Sequence, residues 1–323
     1  TADVSLPGAT DHIYGDAPTA MYGISLTPSS TADNEDIAAN FGVNLGGANF
    51  RTSVGNLAID HQLDAGGYLV VANGLASTLG YTISNGITPA YNVMQAPLSI
   101  TANNQSKVYG GGLVFAGTEF IAGGLKNGQT VGTSTLASAG SLTTAGVAGG
   151  PYPIVASAAT GGSFNAANYN ISYVDGSLAV TQRPLTVTFS AQTKTYDGNT
   201  NASAAGYTLN NLANGENLNL GGTATFDNRN VGVAKTVNFT GLALANGTGN
   251  AANYSIVATA TGTGSITQLA SVNWTGTAGD GKWSTVGNWA GSALPDAGNV
   301  GAVGLPPGLA AETPQWPRSE EHT

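Results

Sequence analysis

Residues 183–200 read R-P-L-T-V-T-F-S-A-Q-T-K-T-Y-D-G-N-T, opening on Arg183-Pro184 and closing around Tyr196-Asp197-Gly198. Leu185, Val187 and Phe189 alternate with Thr186, Thr188 and Ser190, the period of a strand with one buried face. An earlier copy, P-L-S-I-T-A-N-N-Q-S-K-V-Y-G, fills residues 97–110. Pro184 follows Pro97, Tyr196 follows Tyr109 and Gln182 follows Gln95, each by 87 residues. Leu212-Ala213-Asn214-Gly215 follows Leu125-Lys126-Asn127-Gly128 at the same offset. Several matches at one offset define an internal repeat, and a repeat sets the architecture before any single residue does.

Composition narrows the class. Charged residues make up 8 % of the chain, against roughly 25 % in an ordinary globular protein. Glycine contributes 47 of 323 residues, yet 41 % of the chain is hydrophobic and its aliphatic residues fall in alternating runs. That combination describes a folded, β-rich chain with a neutral polar surface. A net charge of −9 argues against nucleic acid, which demands a basic footprint, and against anionic lipid. No apolar run reaches the ~20 residues of a membrane-spanning helix. The absence of cysteine is compatible with export in an unfolded state and equally with a cytosolic protein. The chain begins at Thr1 without an initiator methionine or signal peptide, as expected of an internal fragment.

Three modules follow, at 1–96, 97–182 and 183–268. In the first, His12-Ile13-Tyr14-Gly15-Asp16 stands where Lys107-Val108-Tyr109-Gly110 and Lys194-Thr195-Tyr196-Asp197-Gly198 stand later. Val4 and Leu6 predict part of a strand, Asp33 to Phe41 a helix with acidic residues in its first turn, and residues 68–71 a strand. Asn85-Gly86 and Asp175-Gly176 each predict a two-residue hairpin, because such turns need positive φ. Tyr-x-Ile recurs at 81, 169 and 254. Modules adjoin through Gln-x-Pro or Gln-Arg-Pro steps. Proline fixes φ there, so the expected arrangement is a semi-rigid, elongated rod of small β-sandwich or β-grasp-like units.

Beyond Gln268, residues 269–300 hold Trp274, Trp283 and Trp289 and predict a new element. Residues 301–323 lack strand alternation and predict an irregular tail. Their last six residues, Arg318-Ser319-Glu320-Glu321-His322-Thr323, match a translated sequencing adapter, so two readings stand, an artefact of sequencing, which the abrupt change of texture favours, and a genuine charged C-terminus.

The repeats carry a resemblance. Tyr14-Gly15-Asp16 and Tyr109-Gly110-Gly111 resemble the MBG domain of the YGX type. Lys194-Thr195-Tyr196-Asp197-Gly198, with Gly215-Glu216, Asn230-Val231-Gly232 and Ala252-Asn253-Tyr254, resembles the YDG domain. The tryptophan cluster is similar to a segment found between such modules and β-helical passenger regions. Both domain types occur in large secreted bacterial adhesins similar to filamentous haemagglutinin. The resemblance implies a non-catalytic stalk on the bacterial surface, an outer-membrane secretion partner and a host-cell or matrix glycan or protein as ligand.

Candidate chemistry is sparse. His12, His61 and His322 form no His-x-x-His pair, so no zinc site is expected. No G-x-S-x-G elbow or phosphate-binding loop occurs, and no cofactor is expected. Asp33, Glu35 and Asp36 suit Ca²⁺ less well than a solvated helix start. Asn238-Phe239-Thr240 and Asn246-Gly247-Thr248 are glycosylation sequons. Tyr14, Tyr109 and Tyr196 are expected to pack on their own modules with each hydroxyl capping a turn. Gly15, Gly110, Asp197 and Gly198 complete those turns. Trp274, Trp283 and Trp289 admit two readings: a hydrophobic plug, or a platform for stacking sugars. The alternative function is a carbohydrate-binding array serving a polysaccharide-degrading enzyme. Buried tyrosines and tryptophans would favour the stalk, and exposed coplanar aromatics the array.

Overall fold

The computed structural model describes residues 2–5, 12–16, 25–28, 49–52, 63–73, 83–85, 90–296 and 298–305. Among them the chain is mainly β, and its helical turns are three-residue 3-10 pieces. The expected helix from Asp33 to Phe41, Leu6, His61 and His322 all lie outside the described residues. Among the described residues no helix is long and apolar enough to cross a membrane. The chain divides into two compact units, Thr1–Gln105 with Leu113–Ser141 and Pro151–Ala179, and Ser106–Gly112 with Leu142–Gly150 and Val180–Thr323.

The first unit is organised around the strand Ala96–Ala102. Leu98 and Ile100 are fully buried while Ser99 and Thr101 are half-buried, the alternation that the sequence predicts. This strand pairs antiparallel with Phe120–Gly123 and parallel with Tyr169–Val174, where Leu98 faces Ile171. In a second sheet Tyr152–Gly162 lies between Val131–Ala137 and Gly176–Thr181. Ile154 and Leu178 from that sheet join Leu98, Ile100, Tyr14 and Tyr169 in one core. Each buried aliphatic or aromatic side chain there contributes about 1.5–3 kcal/mol relative to exposure. Two further sheets come from earlier residues. One orders Ser25–Pro28, Ala2–Ser5 and Ile83–Asn85; the other orders His12–Ile13, Ala90–Met94, Gly66–Asn73 and Asn49–Thr52.

The second unit is built on a long hairpin, Leu218–Phe226 against Gly232–Asn246. Ala260–Thr267 flanks it antiparallel, and Gln192–Thr195 adds in parallel at the edge of Ala260–Thr267. Val237, Phe239 and Ile266 point inward, 0 %, 1 % and 1 % exposed, as their alternation predicts. Phe189 stacks on Phe239 with ring centroids 3.5 Å apart.

Among the described residues one topological feature recurs four times. An opening strand pairs in parallel with a closing strand: Ala2–Ser5 with Ile83–Asn85, Ala96–Ala102 with Tyr169–Val174, Arg183–Pro184 with Tyr254–Ser255, and Leu269–Asn273 with Val300–Gly304. Parallel pairing needs a long connection, and the body of each repeat supplies it. It also overturns the hairpin predicted at Asp175-Gly176. Ile83–Asn85 and Ala90–Met94 lie in different sheets, and Gly86 of the predicted Asn85-Gly86 turn lies outside the described residues. Tyr169–Val174 pairs with the opening strand and Gly176–Thr181 with Tyr152–Gly162, so Asp175-Gly176 steps between sheets. Glycine at 176 answers to space rather than to φ, since a Cβ there would stand 2.6 Å from the carbonyl oxygen of Ala102. The strand Val300–Gly304 also runs past residue 301, where the sequence texture suggests an irregular tail.

Candidate functional site

The motif tyrosines sit at a joint that recurs with the repeat. Each is held first by its backbone. The amide N–H of Tyr14 donates to the carbonyl of Met94 at 2.8 Å, that of Tyr109 to Thr181 at 2.9 Å and that of Tyr196 to Thr267 at 2.9 Å. Each acceptor immediately precedes a joining glutamine, Gln95, Gln182 or Gln268. The turn after the tyrosine then needs positive φ, which glycine supplies without steric cost. Gly15, Gly110 and Gly198 have φ of 77°, 80° and 78°.

At two of these joints the side chains repeat as well. In the first unit Tyr14 meets Tyr169 edge-on at 5.5 Å. Tyr169 donates its hydroxyl to Oε1 of Gln129 at 2.6 Å, and Gln129 Nε2 donates to the Tyr14 hydroxyl at 3.1 Å. The Tyr169 hydroxyl also accepts from the N–H of Lys126 at 2.9 Å. In the second unit Tyr109 meets Tyr254 edge-on at 5.3 Å. Both donate to Glu216, at 2.5 Å and 2.6 Å, and the Tyr254 hydroxyl accepts from the N–H of Ala213. Lys126 precedes Ala213, and Gln129 precedes Glu216, by the repeat's own 87 residues. Edge-to-face rings contribute about 0.5–1.5 kcal/mol beyond their buried area.

The expectation that each hydroxyl caps a turn of its own module is replaced by a longer reach. Tyr109 and Glu216 are 107 residues apart, and Tyr196 donates to Asp296 at 3.0 Å, 100 residues on. Arg229 pairs with the same Asp296 oxygen at 2.9 Å. Burial, reinforced by the bond to Glu216, pushes the Tyr254 hydroxyl pKa up to about 12. Burial and the bond to Asp296 do the same for Tyr196.

An asparagine closes the joint three times. Asn168, Asn253 and Asn299 are buried, 1 %, 7 % and 6 % exposed. The side-chain oxygen of each accepts a backbone N–H, from Ala65, Val147 and Val231 respectively, all at 2.8 Å. The joining glutamines reach the carbonyl just before each asparagine: Gln95 to Ala167 at 2.9 Å, Gln182 to Ala252 at 3.1 Å and Gln268 to Gly298 at 3.2 Å. A buried amide left unpaired is costly, so these bonds fix register. The sequence reading missed all six residues in this role. The glutamines recur at the repeat spacing, and an Asn or Asp three residues before each asparagine (Asn165, Asn250, Asp296) is the signal that would have found the rest.

Residues 98–179 match the family model of the MBG domain (YGX type), and residues 181–262 match that of the YDG domain. A search of the curated proteins finds no match. The Tyr109–Glu216 joint therefore links a side chain lying within the MBG-domain match to one lying within the YDG-domain match. The YDG-domain turn has its own lysine clasp. Lys194 Nζ reaches Asp197 at 2.7 Å and the carbonyl of Asn199 at 2.8 Å. Burial would raise the Asp197 carboxyl, but bonds from Lys194 and from the Asn199 N–H outweigh it and hold its pKa below the ordinary range. Lys107, at the corresponding place in the MBG domain, donates to the carbonyls of Gly111 and Leu142. Lys194 thus pairs with a carboxylate of its turn, whereas Lys107 donates to backbone carbonyls alone. Among the described residues no three His, Cys, Asp or Glu side chains gather as a metal site would require.

The tryptophans behave differently from one another. Trp289 is 2 % exposed, meets Trp274 and Trp283 edge-on, and donates its indole N–H to the carbonyl of Trp283 at 2.8 Å. Trp283 is 37 % exposed. Trp283 and Trp274 line a cleft of about 300 Å³ with Gly276, Gly279, Gly281 and Leu305.

Proposed function

We propose that this chain is a non-catalytic stalk region of a large secreted or surface-exposed bacterial adhesin, whose tandem domains form a rod that holds a binding region away from the cell. The observation that carries the reading is the recurrence of one joint, with its tyrosine, positive-φ glycine, joining glutamine and buried asparagine. A joint held by backbone bonds, paired aromatic rings and a shared carboxylate resists bending far better than a flexible linker. The MBG-domain and YDG-domain matches support a repetitive, adhesin-like region. The motif tyrosines support it too. Tyr14, Tyr109 and Tyr196 are 4 %, 3 % and 1 % exposed, which leaves no ring face free for stacking a ligand. The same reading supplies an outer-membrane secretion partner and a host-cell or matrix ligand held elsewhere in the adhesin.

Small-angle scattering on the whole chain tests the rod. A pair-distance distribution with a long tail, extending well beyond that of a sphere of equal mass, is the expected result. A bell-shaped distribution, equal to that of a compact particle, would overturn it.

A further inference from the structure

The cleft beside Trp283 has the properties of a binding site rather than a packing defect. Its wall is the loop bearing Gly276, Gly279 and Gly281, and one buried side chain holds that loop rigid. Asn288 is 0 % exposed. Its Oδ1 accepts from the N–H of Ala278 at 2.8 Å, and its Nδ2 donates to Asp280 at 2.6 Å and to the carbonyl of Lys282 at 3.0 Å. Asp280 is further tied to Thr285 at 2.6 Å, and bonds from Thr285, the Lys282 N–H and Asn288 hold its carboxyl below the ordinary range. A Cβ on Gly279 or Gly281 would meet nothing within 4 Å. The opening is therefore pre-formed, which lowers the ordering cost of binding.

The lining states what would fit. Among the described residues no charged side chain lines the cleft, so there an ionic ligand would bring a charge with no partner. The tilted rings of Trp274 and Trp283, 5.9 Å apart, offer apolar faces. Among the described residues neither indole N–H has an acceptor, unlike that of Trp289. A purely apolar ligand would leave those donors unsatisfied when it covered them. A volume of about 300 Å³ stands at the lower end of small-ligand sites. We propose that this cleft binds a pyranose unit of a neutral glycan, its C–H face stacked on Trp283 and its hydroxyl oxygens accepting from the Trp274 indole. This narrows the sugar-stacking reading to two of the three tryptophans, because Trp289 is buried. It is independent of the stalk reading, which concerns the joints.

The test is calorimetric titration of the full chain with four neutral oligosaccharides: cellohexaose, maltohexaose, mannohexaose and chitohexaose. At least one is expected to bind saturably. W283A should then weaken binding by at least about tenfold, equivalent to about 1.4 kcal/mol, while W283F stays within about threefold. L305W, which places a bulkier side chain at another lining position and leaves Trp274 and Trp283 in place, should also abolish binding. No saturable heat from any of the four sugars would overturn the proposal. Binding by both W283A and L305W as tight as the parent chain's would overturn it as well.

Discussion

Tyr109 and Glu216 share a hydrogen bond of 2.5 Å across 107 residues of sequence, and the second oxygen of the same carboxylate takes the hydroxyl of Tyr254 at 2.6 Å. One side chain thus gathers the two rings that meet edge-on at this joint. Removing only the Tyr109 hydroxyl keeps the ring contact but deprives a partly buried carboxylate of one donor. Tyr109→Phe is expected to cost about 1.5–3 kcal/mol, the usual range for a bond to a charged group. Tyr109→Ala also empties the ring's space, and about 3–5 kcal/mol is expected for it. Urea unfolding followed by tryptophan fluorescence gives both values. Equal losses for the two variants would show that the bond, not the ring, secures the joint.

Glu216 and Gln129 occupy the same place one repeat apart, and this makes a sharper prediction. Gln129 accepts from Tyr169 and donates to Tyr14, so the joint works with an amide as well as with a carboxylate. In Glu216→Gln, the Tyr109 hydroxyl can rotate to accept from Nε2 as Tyr14 does. The expected loss is under about 1 kcal/mol, whereas Glu216→Ala leaves two buried hydroxyls without their acceptor and should cost about 2 kcal/mol or more. Thermal melts of the two variants side by side check this. A Gln variant as damaged as the Ala variant would mean that the charge itself is required.

Much of this architecture is legible in the sequence because it depends on period and offset. Leu98 and Ile100, or Val237 and Phe239, alternate with polar neighbours, and burial follows that pattern. The 87-residue offset marks the joint even where its chemistry is not readable. What stays hidden is whatever depends on which strands become neighbours. Asp175-Gly176 carries every local mark of a hairpin, yet its flanking strands go to different sheets because the closing strand pairs in parallel with a distant opening strand. The hydroxyl partners of the tyrosines are hidden for the same reason: a residue some 100 positions away cannot be read from local spacing. The Trp283 cleft is half legible, in that three tryptophans announce an aromatic cluster but not which one stays exposed.

Gly110 is constrained twice, by φ of +80° and by the Cβ of Ala213, which would lie 2.3 Å from a Cβ at position 110. Gly15 meets the Cβ of Lys126 at 2.4 Å in the same way. Gly110→Ala should therefore combine about 1–3 kcal/mol of overpacking with about 1–2 kcal/mol for a left-handed residue bearing a side chain. Adding Ala213→Gly relieves the first cost and not the second. A double-mutant cycle should return a favourable coupling of about 1–3 kcal/mol. Strict additivity of the two substitutions would place the cost wholly in the backbone.

Alkaline pH should loosen the joints before it affects the rest of the chain. The hydroxyls of Tyr196 and Tyr254 titrate near 12 in the folded protein, against 10.0 for an unperturbed tyrosine. Burial pushes Tyr68, Tyr109 and Tyr169 in the same direction. A raised pKa means that the folded state binds the proton more tightly than the unfolded state. Between pH 10 and 12 the unfolded chain therefore carries fewer protons, and stability falls as pH rises. The contribution is whole below pH 10 and lost above pH 12. The melting temperature should hold steady up to pH 10 and then drop steeply. Tyr254→Phe should start lower and lose less across the same window, because the group that titrates at that joint has been removed. A parent chain whose melting temperature stays level from pH 10 to 12 would show that these hydroxyls are not confined as described.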